Sequence, residues 1–213
     1  MRKNLRLLAV SCWLGGALVA AHGQTIDSVE ASIAAAEQAA RYAKENDFEQ
    51  ALMGFENALK LNARNKKANY ELGNLYYDAK NYRAAILCYL IVTKIDSTDA
   101  DAHHNMGNAF YYLEKYDDAI RCWRKSMRLD PSQIDGYYNL GSAYYKQNNY
   151  QYALAYYKMA ALVNFDDANL YYNIGNIYGM QKQKRQQIIY YKKAAQLGHY
   201  AAEKLLKQWE ISN

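Results

Sequence analysis

Four glycines, Gly73, Gly107, Gly141 and Gly175, stand 34 residues apart, each inside a phrase of the same kind: ELGNLYY, NMGNAFY, NLGSAYY and NIGNIYG. A fixed period of this length removes most folds from consideration. A chain that restates itself every 34 residues stacks copies of one helix-pair unit, and each copy hides the apolar flank of the one before. Stacks of this kind seldom perform chemistry and commonly hold another molecule along their length.

Alignment on the glycines divides the chain into five units: 32–65, 66–99, 100–133, 134–167 and 168–201. In the first, Ala39 stands where the others have glycine. The spacing predicts two helices of about 14 residues in each unit. A glycine in the first helix lets the second approach, and that second helix offers Ala51, Ala85, Ala119 or Ala153 in return. One turn later comes a large ring: Phe55, Tyr89, Trp123, Tyr157 or Tyr191. Small followed by large on the next turn is how facing helices interdigitate.

The unit ends repeat as well. Leu61, Ile95, Leu129, Val163 and Leu197 are each followed by Asn, Asp or Gly, which suits a helix that must stop and turn. Asn65, Asp99 and Asp167 then stand where N-caps are needed. Phe48, Tyr82, Tyr116 and Tyr150 open the second helices of the first four units. The chain has one proline, Pro131, in a turn between units, so long helices go uninterrupted. It has 23 tyrosines against four phenylalanines, which predicts rings with packed bodies and hydroxyls that reach water or a partner.

These slots, filled three times running across 66–167, resemble the tetratricopeptide repeat, a 34-residue helix pair with a large residue, Leu, Gly and Tyr in its first helix and Ala, an aromatic and Ala in its second. The resemblance covers residues 32–201, about four-fifths of the chain. The outer units depart from it: the first lacks the glycine, and the fifth has Gln187 in a small-residue slot and Lys184 in an aromatic one. The resemblance implies an all-α, right-handed solenoid of five units. Residues 202–213 hold a capping helix and tail, with Leu205, Leu206 and Trp209 on one side to cover the last apolar face.

Residues 1–23 read as an export signal. Arg2, Lys3 and Arg6 precede an apolar run from Leu7 to Ala21, and Ala21-His22-Gly23 offers small residues at a cleavage site. The alternatives are a retained anchor and a lipoprotein through Cys12. The expected location is the periplasm or envelope of a Gram-negative bacterium, with no membrane span left after cleavage. The formal charge is +5, and about +2 without the three cations of that segment, too little to argue for nucleic acid as a partner. Cys88 and Cys122, again 34 apart, read as small buried hydrophobes, an intermolecular bridge remaining open.

Residues three before, one after and four after the glycine share a stripe of the first helix. In the family this chain resembles, that stripe lines the concave face. It holds Tyr70, His104, Tyr138 and Tyr172, then Asn74, Asn108, Ser142 and Asn176, then Tyr77, Tyr111 and Tyr145. Beside it stand Asn105, Asn139 and Asn173. Stacked asparagines can donate to and accept from the backbone of an extended peptide, and tyrosines supply rigid amphipathic area. The resemblance implies a parallel with the asparagine ladder in the repeat domain of O-linked N-acetylglucosamine transferase. Two readings stay open: a ladder that binds a peptide, or one that bonds to the adjacent helix.

Lys67 begins a possible carboxylate clamp, but Asp101 and Asp135 occupy the matching slots. Adjacent His103 and His104 point about 100° apart on a helix and cannot chelate one ion together. No phosphate loop, serine elbow or Cys/His pair is present. The sequence therefore predicts a non-enzymatic interaction protein without cofactor or metal. It would bind a protein or peptide in a Tyr/Asn-lined groove as a scaffold or adaptor of an envelope assembly; the alternatives are self-association and a periplasmic co-chaperone role.

Overall fold

The computed structural model describes residues 25–133 and 135–211, and the expected signal segment, 1–23, lies outside them. The described residues form eleven helices and no strand: α1 (Ile26–Lys44), α2 (Phe48–Leu61), α3 (Lys66–Asp78), α4 (Tyr82–Ile95), α5 (Ala100–Tyr112), α6 (Tyr116–Leu129), α7 (Asp135–Lys146), α8 (Tyr150–Val163), α9 (Ala168–Met180), α10 (Lys184–Gln196) and α11 (Tyr200–Ile211). This is the α-solenoid of five helix pairs and a cap that the period predicts. The chain divides into two compact units, one ending at Lys115 and one beginning at Tyr116. Within each, the most extensive contacts run between helices consecutive in the chain.

Local chemistry explains the helix ends. Asn65, Asp99 and Asp167 each accept a hydrogen bond from a backbone N–H in the first turn that follows, at 3.0, 2.9 and 2.8 Å. Between units, Asn62, Asp96 and Asp130 accept from the N–H two residues on, each at 3.0 Å, and so make the turn locally. α1 is longer than the spacing predicts. It spans 19 residues and begins at Ile26, because Thr25 supplies a cap to the N–H of Ser28 and Asp27 complements the helix dipole.

Inside each unit the two helices are joined by one repeated device. Asn46, Lys80, Glu114, Asn148 and Lys182 all sit at φ between 58° and 60°. The residue after each donates to the carbonyl five back, as in Asn81 to Tyr76 at 2.7 Å and Asn149 to Tyr144 at 2.9 Å. These are Schellman closures, which satisfy helix C-terminal carbonyls and prefer glycine at the left-handed position.

The first unit's core holds Phe55, Leu72, Tyr89 and Val92, all buried. In the second, Leu170, Ile174, Ile177, Tyr157 and Tyr191 form the centre, and Leu205, Leu206 and Trp209 of α11 pack against it. Each large apolar side chain buried this way contributes about 1.5–3 kcal/mol. Gly73, Gly141 and Gly175 each face the large ring of their own repeat and not the small residue one turn earlier. A Cβ on Gly73 would lie 2.7 Å from the Tyr89 ring, and one on Gly141 would lie 2.6 Å from Tyr157.

The two irregular units are compensated in the partner helix. In the first, Gly54 of α2 faces Ala39 of α1. In the fifth, the long Gln187 reaches over Gly179, which occupies the slot that holds Tyr77, Tyr111 and Tyr145 elsewhere. α10 therefore forms despite its unusual residues. Lys184, in the aromatic slot, sets its Nζ 3.3 Å from the centroid of the Trp209 ring.

Candidate protein-binding stripe

In the first unit the stripe is carried by α3 and α5. The Nδ2 group of Asn105 donates to the Tyr70 hydroxyl at 3.0 Å and, more weakly, to Asn74 Oδ1 at 3.4 Å. Asn74 Oδ1 also accepts from the Tyr89 hydroxyl at 2.8 Å, and Asn74 Nδ2 donates to Glu71 at 3.2 Å. Tyr77 meets the edges of Tyr82 and Tyr112, centroids 5.4 and 5.8 Å away. His104, Asn108 and Tyr111 lie along α5, half-buried and engaged by neighbouring groups.

The second unit repeats the pattern on α7 and α9. Asn173 Nδ2 donates to the Tyr138 hydroxyl at 3.4 Å. The Tyr191 hydroxyl donates to Asn176 Oδ1 at 2.5 Å, and the hydroxyls of Ser142 and Tyr157 are bonded at 3.0 Å. Tyr145 packs against Tyr150, 5.8 Å away, and Asn139 is half-buried and engaged. Tyr172 stacks on His199 at 4.1 Å and on Tyr191 at 5.4 Å.

The residue after Gly73, Gly141 and Gly175 thus bonds the ring hydroxyl of its own repeat. Asn105 and Asn173, two before their glycines, each bond a tyrosine of the preceding repeat. Both are structural tasks, and both leave the asparagines among these residues with further bonding positions. The core tyrosines Tyr89, Tyr157 and Tyr191, read from sequence as rings alone, prove to be part of the network. The sequence carries a signal for this: where the residue after the glycine slot is Ala40, the ring is Phe55, which has no hydroxyl to place.

Burial, together with the nearby carboxylates of Asp101, Asp99 and Glu71, pushes the Tyr70 phenol up to about 12. Burial also raises Tyr77, Tyr89, Tyr145 and Tyr191. These phenols are neutral at physiological pH and act as hydrogen-bonding groups, not as nucleophiles. Cys88 and Cys122 are free and buried, and burial pushes their thiols up to about 12 and about 11. Among the described residues no group of three or more His, Cys, Asp or Glu is placed to hold a metal ion. No described helix is long and apolar enough to cross a membrane.

Repeated helix pairs with a patterned polar and aromatic stripe on the first helices define a helical-repeat protein of the kind that presents a surface to protein partners. Tetratricopeptide-repeat profiles match residues 73–113, 107–148, 134–167 and 168–197, and the chain belongs to the tetratricopeptide-repeat family. Among curated proteins there is no match. The fold is shared with the crystal structure of MamA, at 22% identity and TM-score 0.75, covering 82% of this chain and 95% of that one. It is shared also with YrrB, described as a TPR protein with an unusual peptide-binding site, at 20% identity, TM-score 0.74 and coverage of 83% and 92%. PilF of Pseudomonas aeruginosa matches at 20% identity and TM-score 0.65, over 81% of this chain and 78% of that one. Proteins of this family bind protein or peptide partners and are typically not enzymes.

Proposed function

We propose that this protein is an exported scaffold of the bacterial envelope that holds a segment of another protein against its first-helix stripe. The observation that carries the reading is the hydrogen-bonded pairing of Asn105 with Tyr70 and of Asn173 with Tyr138. It fixes half-buried tyrosine rings in one orientation before any partner arrives. Preorganised aromatic groups lose little conformational entropy on binding. The peptide-binding description of YrrB and the basic, apolar start of the sequence support the same picture.

The test is photo-crosslinking in cells from position 138, with fractionation by osmotic shock. The expected result is a protein adduct in the periplasmic fraction that Asn105→Ala, Asn139→Ala and Asn173→Ala together diminish while helicity is kept. An adduct unaffected by the three changes removes the stripe; protein found only in the cytosol removes export.

A second reading, self-association, has its own observation. Leu162 in the last turn of α8, Phe165 in the turn after it and Tyr200 at the start of α11 are 83%, 71% and 75% exposed, large apolar side chains available to a second copy of the chain. Light scattering separates the readings: a strict monomer at high concentration removes the second.

A further inference from the structure

Charge is not spread evenly over the second unit. α8 and α10 together carry five cations and no carboxylate, while α7 and α9 carry one Asp and one Lys. The two acids at the start of α6 are already engaged: Asp118 pairs with Arg121, and Asp117 accepts from Gln147 at 2.8 Å. The positive charge of this unit therefore lies on its second helices.

Arg124 of α6 and Lys158 of α8 are built into a motif that recurs at the repeat distance. The Arg124 Nη2 group donates to the hydroxyls of Tyr144 and Tyr156 at 2.8 and 3.3 Å, and those rings stack at 5.5 Å with 7° between planes. Thirty-four residues on, Lys158 Nζ donates to the Tyr178 hydroxyl at 3.0 Å, and Tyr178 stacks on Tyr190 at 5.3 Å. The corresponding slots one repeat earlier hold Leu90, Phe110 and Cys122, so the array begins at Arg124. Tyr144 is about 100° round the helix from Tyr145, which separates this array from the Tyr/Asn stripe.

We propose that the second-helix face of residues 116–196 is a separate docking surface for an acidic polypeptide segment. Arg124 and Lys158 remain exposed, and each tyrosine bond uses only part of a cation's donors, leaving N–H groups to meet carboxylates. The tyrosine hydroxyls fix where those donors sit. Successive helix pairs lie about 8–10 Å apart, and an extended chain advances about 3.3 Å per residue, so one acidic side chain in three meets the rows. The rings are not open platforms: Tyr144 is stacked on both Tyr152 and Tyr156, and Tyr190 on both Tyr171 and Tyr178. Bases and sugars need free ring faces; carboxylates do not.

The test is fluorescence anisotropy of a labelled deca-glutamate peptide with the signal-less full chain, beside labelled oligo-thymidylate and polygalacturonate. The peptide binds, binding weakens with salt, and Arg124→Gln with Lys158→Gln lowers affinity about ten-fold, as expected for two lost charge contacts. Lys60→Gln with Lys94→Gln, on second helices of the first unit, leaves affinity unchanged, as does the triple asparagine variant of the stripe. No peptide binding, an equal loss in the Lys60/Lys94 variant, or tighter binding of either other polymer overturns the proposal. Hydrogen exchange of the unsubstituted protein gives a second reading: the peptide protects α8 and α10, and protection confined to α7 and α9 overturns it. Because the stripe is tested by other substitutions, either surface can fail alone.

Discussion

Gly54 of α2 lies against Ala39 of α1, so close that a Cβ at residue 54 would sit 2.7 Å from the Ala39 Cβ and 3.2 Å from its Cα. The second, fourth and fifth repeats set a first-helix glycine beneath a second-helix ring. The first unit instead sets a first-helix alanine against a second-helix glycine. Close approach is kept with the glycine on the other helix.

Gly54→Ala therefore costs stability. The added methyl gains about 1 kcal/mol of helix propensity, but overpacking against backbone costs about 1–3 kcal/mol, and the crowding wins. Thermal unfolding followed by circular dichroism should show a lower midpoint. Adding Ala39→Gly should recover more than the two single effects summed. A Gly54→Ala protein as stable as the parent would sink the packing argument.

The left-handed residues at the helix turns predict gains. Lys80→Gly, Glu114→Gly and Lys182→Gly should each raise stability by about 0.5–1 kcal/mol, since a side chain at φ near 60° is strained and glycine is not. Asn46→Gly and Asn148→Gly should gain less, because asparagine tolerates this region. Urea midpoints at unchanged slope are the measure, and no gain at any lysine would refute it.

Alkaline pH should weaken the first unit. The Tyr70 phenol is raised from its ordinary 10 to about 12 by burial first and by neighbouring carboxylates second. The folded state thus keeps a proton that the unfolded chain releases, so this stabilisation is intact below pH 10 and disappears as pH rises toward 12. Tyr70→Phe should flatten the fall in stability across that window. A tyrosine absorbance titration in which every ring ionises near pH 10 in the folded protein would contradict it.

Lys184→Ala should loosen the cap. The ammonium sits 3.3 Å from the Trp209 centroid, and a contact of this kind contributes about 0.5–2 kcal/mol. Amide exchange in α11 should quicken while exchange in α7 stays as it was. Unchanged exchange in α11 would mean that Leu205 and Leu206 hold the helix alone.

Much of the fold was legible because helices are local. Phe48, Tyr82, Tyr116 and Tyr150 begin second helices as their position in the repeat suggested, since caps and turns depend on residues two to five apart. The early start of α1 is local too, but Thr25 precedes the repeat register and escaped a reading tied to the glycines. In the stripe, which residues share a face was legible from helical spacing, but what they bond was not. Asn105 and Tyr70 are 35 residues apart and Tyr89 and Asn74 are 15 apart, separations over which no propensity acts.

By itself, the 34-residue period determined that this chain makes paired helices, where those after the first start and stop, and which of their faces are apolar. Those properties follow from backbone hydrogen bonding and burial within a few turns. Only the tertiary structure decided that the asparagines are partly occupied by tyrosine hydroxyls, that Gly54 and Gly179 compensate the two irregular pairs, and that Arg124 and Lys158 stand on stacked rings. Each of these depends on the distance between side chains on different helices. Packing sets such distances, and packing is a property of the assembled stack and not of any one turn.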